Sequence, residues 1–188
     1  MQANNMKSKQ NNTHTALKSA LAIENVMQTP KLVKVIVSAG IGSVKDKKRL
    51  ALIEDRLTRI TGQKMSTTKA KKSMAAFKVR EGDAAGYVAT LRGERMNSFL
   101  DKLVDIALPR MKDFRGLSKR AVDNMGNITI GIKEHTIFPE TSDEDIKDIF
   151  GFGVTVVTTA KDKKSAVAFF EHLGIPFSKT ETAKKGSK

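Results

Sequence analysis

GYVATLRGERMNSFLDKLVDIAL, residues 86–108, changes its hydrophobic period partway along. Tyr87, Ala89 and Leu91 alternate with Val88, Thr90 and Arg92, the two-residue period of a strand. From Glu94 to Leu108 the apolar residues Met96, Phe99, Leu100, Leu103, Ile106 and Ala107 recur at helical spacing, and Pro109 is expected to stop the helix. A strand that passes directly into an amphipathic helix has one apolar side on each element. The economical way to bury both is to lay the helix on the sheet.

The flanking sequence repeats the pattern. Val33, Val35 and Val37 alternate with Lys34, Ile36 and Ser38, and Gly40-Ile41-Gly42 closes that strand. Leu50, Ile53, Leu57 and Ile60 share one face of a helix over Asp46–Thr61, capped by Asp46 and ended by Gly62; its other face carries Lys48, Arg56 and Arg59. Residues 14–27 read as a helix built on Leu17, Leu21 and Ile23 and ended by Pro30. A short strand near 65–69 leads into a long basic loop. Further on, Ile128, Ile130 and Ile132 alternate as a strand, and Ser142–Phe150 reads as a short helix with Ser142 and Asp145 spaced like a capping box. Gly151-Phe152-Gly153 reads as a turn before a strand over Val154–Thr159. Ala166, Phe169, Phe170 and Leu173 form the inner side of a last helix that Gly174 ends. The fold class expected is α+β: a mostly antiparallel sheet with helices packed on one face and the other face open to a partner. Residues 1–13 are expected to be a disordered polar tail, 14–177 a single domain and 178–188 a basic tail.

The charge is lopsided. The 188 residues carry 34 Lys and Arg against 20 Asp and Glu, a net charge of +14. Residues 1–80 hold 17 of those cations and only 4 acids, so nearly the whole excess lies in that part. Lys64 to Arg80 contains Lys64, Lys69, Lys71, Lys72, Lys78 and Arg80 and no acid. Such a field fits an anionic partner, with nucleic acid ahead of an anionic membrane because no basic helix with large apolar anchors appears.

The composition also excludes chemistry. With no Cys there is no disulfide, thiolate zinc site, iron–sulfur cluster or cysteine nucleophile. His14, His135 and His172 are scattered without metal-ligand spacing; His172 reads as a helix-end residue and His135 as a surface one. Gly40-Ile41-Gly42 has Lys45 where a dinucleotide loop needs its third glycine. Asp143, Glu144, Asp145 and Asp148 lack the order of a cation loop and suit the first turn of a helix. No catalytic residue, metal site or cofactor is expected. No apolar stretch is long enough to span a membrane, and a cytoplasmic protein is expected. Gln63, Thr67 and Thr90 are hydrogen-bonding residues near strand ends that could read sugars or bases. Phe77 is either an aromatic placed to stack on an exposed base or a core residue that anchors the loop.

Several strings carry a resemblance. NVMQTPKL (25–32), ITGQK (60–64), TKAKKSMAAFKVREG (68–82), TLRGERM (90–96), ALPRMKDFRGLS (107–118), GIKEHTIFPE (131–140) and VTTAK (157–161) resemble, in order, the bacterial form of the 5S-rRNA-binding large-subunit ribosomal protein five family. The resemblance implies a non-enzymatic constituent of the large ribosomal subunit that helps to anchor 5S rRNA in the central protuberance. It implies an antiparallel sheet with helices on its convex side and a concave face that binds 5S rRNA, with Gln63 and Thr90 at matching positions, Arg92 one strand period from Thr90 and Ser38 at the contacting Asn position; Thr67 joins this set from its own place near a strand end. It also implies a loop that reaches peptidyl-site tRNA, with Lys71, Lys72, Ser73, Ala76, Phe77, Lys78 and Arg80. The segment with Arg110, Lys112, Asp113 and Arg115 would bridge to the small-subunit head through small-subunit protein thirteen. Contacts with 23S rRNA and neighbouring large-subunit proteins are implied too. The chain departs from the family pattern at Ser38, where an RNA-contacting Asn is usual, and at Asn124–Asn127, where a cation is lost. The rival readings are a general nucleic-acid-packaging protein and an enzyme that cradles a phosphorylated substrate in the basic stretch.

Overall fold

A computed structural model describes residues 5–21, 23–42, 44, 46–77, 79–112, 114–141 and 148–178. Among them five strands form an open sheet: β1 Leu32–Gly40, β2 Ser66–Lys69, β3 Ala84–Leu91, β4 Ile128–Ile132 and β5 Phe152–Thr158. Their order is β2–β3–β1–β5–β4 and every neighbouring pair is antiparallel. The alternation sorts the two faces. Val35, Val37 and Ala39, Tyr87, Ala89 and Leu91, Ile128, Ile130 and Ile132, and Phe152, Val154 and Val156 are all buried on one side, where the helices lie.

One strand begins out of phase. Val33, expected inward with Val35, is 42% exposed, and Leu32 is buried instead. The pairing with β5 slips between Leu32 and Lys34, a β-bulge that inserts one residue and flips the side chains before it. β5 starts earlier than expected: Phe152 and Gly153 belong to the strand rather than to a turn. Gly151 precedes it because a Cβ there would lie 2.9 Å from the Ile132 carbonyl oxygen at the end of β4.

The helices follow their caps. In α3, Lys47–Thr61, the Asp46 side chain accepts from the Lys48 N–H and Gly62 ends the helix at φ 66°. Ile53, Leu57 and Ile60 face the core. α4, Gly93–Lys102, buries Met96, Phe99 and Leu100 and then widens into a π turn over Leu103–Ala107, where the Leu108 N–H donates to the Leu103 carbonyl. The extra residue in that turn rotates the inward face onto Val104, Ala107 and Leu108. Ile106, expected inside, is 38% exposed. Pro109 does not end the helix; it sits in the first turn of the one-turn α5, Leu108–Arg110, where a missing N–H is tolerated. α6, Lys163–Leu173, buries Ala166, Phe169, Phe170 and Leu173 and ends at Gly174 as expected.

One polar prediction changes. His135 is fully buried, its ring stacked on Phe150 at 4.2 Å, with its Nδ1 accepting from the Phe150 N–H. The expected capping box and most of the expected helix over Ser142–Phe150, with Asp143, Glu144 and Asp145, lie outside the described residues, as do 1–4 and 179–188.

The segment expected to be a disordered tail contains α1, Met6–Asn11, and the start of α2, Thr13–Leu21. The predicted continuation of α2 to 27 gives way to a separate 3-10 turn, Val26–Gln28. Met6 is 1% exposed, and its N–H donates to Asp101 Oδ1 at 2.8 Å. Burial pushes the Asp101 carboxyl above the usual range, against that hydrogen bond. Lys9 donates to the Leu173 carbonyl at 3.0 Å, and His172 Nε2 donates to the Lys9 carbonyl at 2.9 Å. A six-residue helix cannot hold itself in water; contacts with α4 and α6 order it. One apolar residue per turn leaves no period to read. Met6→Ala is expected to lower the unfolding free energy by about 2 kcal/mol. Urea unfolding measures it, with early amide exchange across α1 as the companion sign.

Candidate nucleic-acid interface

The face of the sheet away from the helices is built from the other parity of each strand. Lys34, Ile36 and Ser38 come from β1, and Val88 and Thr90 from β3. Ser66 and Thr68 come from β2, Thr129 and Gly131 from β4, and Thr155 and Val157 from β5. None of the five strands contains an acid. The surface is therefore hydroxyl-rich and neutral to basic. Thr129 and Thr155 hydroxyls lie 3.2 Å apart, and Thr68 donates to the Gly86 carbonyl. The hydroxyls of Ser38 and Thr90 make no hydrogen bond to another described residue.

Four of the residues predicted for this face converge on it. Ser38 pairs with Val88, one step along β3 from the Ile36–Thr90 pair. The left-handed Gly62 turns the chain out of α3 so that Gln63 Nε2 donates to the Thr90 carbonyl at 3.4 Å. Arg92 follows Thr90 in extended backbone and is exposed at the start of α4. Thr67 does not join them. It pairs with Tyr87, a core residue, and so sits on the helix side of the edge strand. Its neighbours Ser66 and Thr68 take the open face instead. Sequence reasoning missed these two, and also Thr129 and Thr155, although the last two are the polar members of otherwise apolar alternations.

At the far edge, β4 is held by the turn before it. The Asn127 N–H donates to Asp123 at 2.7 Å and keeps that carboxyl below its usual range, while Asn127 Oδ1 accepts from the Thr158 N–H.

The long basic loop is an ordered extension of the β2–β3 hairpin. The Ala70 N–H donates to Asp83 O and the Gly82 N–H to Ala70 O; Met74 and Val79 exchange both backbone hydrogen bonds nearer the tip. Ser73 Oγ donates to the Val79 carbonyl. Lys71, Lys72, Ala76 and Arg80 are exposed, and none of the three cations pairs with an acid among the described residues. Phe77 closes the 3-10 turn Ala75–Phe77 with its backbone; its side chain and all of Lys78 lie outside the described residues. The two readings of Phe77 therefore stand as they were.

The third predicted set lies on one irregular segment. Arg110 ends α5, and Lys112 and Arg115 are exposed; Asp113 lies outside the described residues. The segment is pinned where the Leu117 N–H donates to Pro176 O and the Ser178 N–H to Leu117 O.

Known proteins match this chain along most of its length. A family model described as ribosomal protein L5 matches residues 25–80, and one that describes the C-terminus of the same ribosomal family matches 84–177. The large ribosomal subunit protein uL5 of Sulfurimonas denitrificans is 50% identical over 164 residues, 87% of this chain and 91% of that one. That of Ureaplasma parvum serovar 3 is 51% identical over 164 residues, 87% and 89% of the two chains. That of Natranaerobius thermophilus is 47% identical over 163 residues, 86% and 91%.

Proposed function

The chain belongs to the ribosomal L5 family, and from that premise we propose that it seats 5S rRNA on the open face of its sheet. It is a structural constituent of the large ribosomal subunit in the cytoplasm and not an enzyme; its partners are ribosomal RNA and other ribosomal components. The observation that carries the finer reading is the acid-free, hydroxyl-rich face with Gln63, Thr90 and Arg92 together at one corner. Ser and Thr hydroxyls both donate and accept, which matches the 2′-hydroxyl of RNA, itself donor and acceptor. Phosphate pairing by nearby Lys and Arg adds affinity without sequence choice. In the same reading the basic hairpin reaches peptidyl-site tRNA, the Arg110–Leu117 segment meets small-subunit protein thirteen, and 23S rRNA and neighbouring large-subunit proteins complete the surroundings.

The test is a binding assay with purified protein, 5S rRNA and an unrelated RNA of equal length. Preference for 5S rRNA is expected, with log affinity falling against log salt at a slope of roughly −4 to −5 if about six phosphates are neutralised. Equal affinity for both RNAs would leave only a general packaging protein.

A further inference from the structure

We propose that the cleft between the basic hairpin and the start of α3 holds one unpaired ribonucleotide of an RNA, its base inward and its phosphate at the rim. The inference rests on the reading of the hairpin as an RNA-contacting element and adds a site on the hairpin's inner side, away from its tip. The cleft measures about 630 Å³. That is room for a nucleotide, within the range of small-ligand sites and too little for a duplex.

Its walls are of two kinds. Val44, Leu50, Met74 and Val79 supply an apolar floor, and Ser73 and Arg80 supply polar groups. Met74 is 56% exposed. A bare thioether is a good partner for the face or edge of an aromatic ring. Arg80 is the cation in the lining, and further cations neighbour lining residues along the chain. Arg80 comes from the hairpin, which also carries Lys71 and Lys72, and α3 opens with Lys47, Lys48 and Arg49 and no acid in its first turn. Leu50 lies in that same turn, its N–H donating to the Asp46 carbonyl. Three cations beside the positive end of a helix dipole are an unfavourable arrangement that the Asp46 cap offsets in part and a bound anion relieves further. Asp83, also in the lining, keeps its charge but turns Oδ2 to the Arg80 N–H at 2.8 Å, and Asp46 Oδ1 accepts from the Lys48 N–H at 3.0 Å. Glu81 is exposed on the turn beyond them. An acidic peptide would suit the rim but leave the apolar floor uncovered. A base joined to a phosphate suits both.

The experiment is an amide NMR titration of the full chain with adenosine 5′-monophosphate, inorganic phosphate, a pentaglutamate peptide and a five-residue adenylate RNA. The monophosphate and the RNA are expected to shift Val44, Leu50 and Val79, with the RNA binding at least about ten-fold more tightly through its added phosphates. Phosphate and the peptide should shift only the cationic rim. Ala75→Trp, at an exposed position in the cleft wall, and Met74→Glu should each weaken both nucleotide ligands at least about ten-fold. The proposal is overturned if phosphate alone reproduces the monophosphate pattern, if the peptide does so, or if both variants bind like the parent chain. 5S rRNA binding by the two variants is expected to match the parent chain, so a failure of the sheet-face reading would show in the parent and leave the cleft titration standing.

Discussion

Ser38→Asp is expected to weaken 5S rRNA binding by about 100-fold while leaving the fold intact. Ser38 lies on the central strand, between Val88 on one side and Gly153 on the other, and it is half-buried in a face without a carboxylate. A new carboxylate there would meet phosphates across a desolvated contact. Like-charge juxtaposition at an interface costs several kcal/mol, and about 3 kcal/mol is a loss of roughly 100-fold. The cost to the strand itself is smaller, on the order of 1 kcal/mol or less. Two controls separate contact from net charge. Thr67→Asp adds the same charge on the helix side of β2 and should change affinity by less than about three-fold, since an exposed charge away from the contact is screened by salt. Ser38→Asn restores the amide that the family pattern carries and should bind at least as well as the parent. Titration calorimetry at two salt concentrations reads all three. Ser38→Asp binding like the parent would move the RNA off this face.

The contrast between Ser38 and Thr67 also marks how far sequence alone reaches. In β1 and β3 the apolar residues fix which parity is inward, so Ser38, Thr90 and Arg92 could be assigned to the outer face before any coordinates. β2 reads Ser-Thr-Thr-Lys, and the one phase cue beside it is the buried Met65, of the same parity as Thr67. The pairing with β3 makes the phase plain, with exposed Thr67 on the helix side and Thr68 on the open face, and pairing is a tertiary fact. The same holds for the hairpin beyond β2. Its order comes from backbone hydrogen bonds such as Met74 with Val79, to which side-chain periodicity is blind. Where sequence reasoning misplaced core residues, one inserted residue was the cause: the bulge that exposes Val33 and the π turn that exposes Ile106 each break a period that is otherwise regular. α1 was missed for a different reason, since Met6 is ordered by partners in α4 and α6 nearly a hundred residues or more away along the chain.

Phe138→Ala should produce the largest loss of stability, about 4 kcal/mol. Phe138 lies in the GIKEHTIFPE string, between the 3-10 turns His135–Ile137 and Pro139–Thr141, where no period identifies it as core. It is fully buried, stacked on Phe99 of α4 at 6.1 Å and tilted against Phe152 of β5 at 5.9 Å. The Lys102 ammonium lies 5.8 Å over its ring and also donates to the Ile60 carbonyl at 2.8 Å and to Glu140 at 2.6 Å. One ring thus joins α4, the sheet and the 134–141 segment, and the ammonium above it ties in the end of α3. Removing it leaves a cavity and deprives the ammonium of the ring beneath it. Set against a total of about 5–15 kcal/mol for a domain, the loss is a large fraction. Urea unfolding should show a lower midpoint with an unchanged slope, and Phe138→Leu, which fills part of the space, should lose about half as much. Because the ring is on the helix side, the molecules that remain folded should bind 5S rRNA as the parent does, opposite to Ser38→Asp, which spares the fold and loses the RNA. A midpoint that did not move would mean that the 134–141 segment packs against the domain without supporting it.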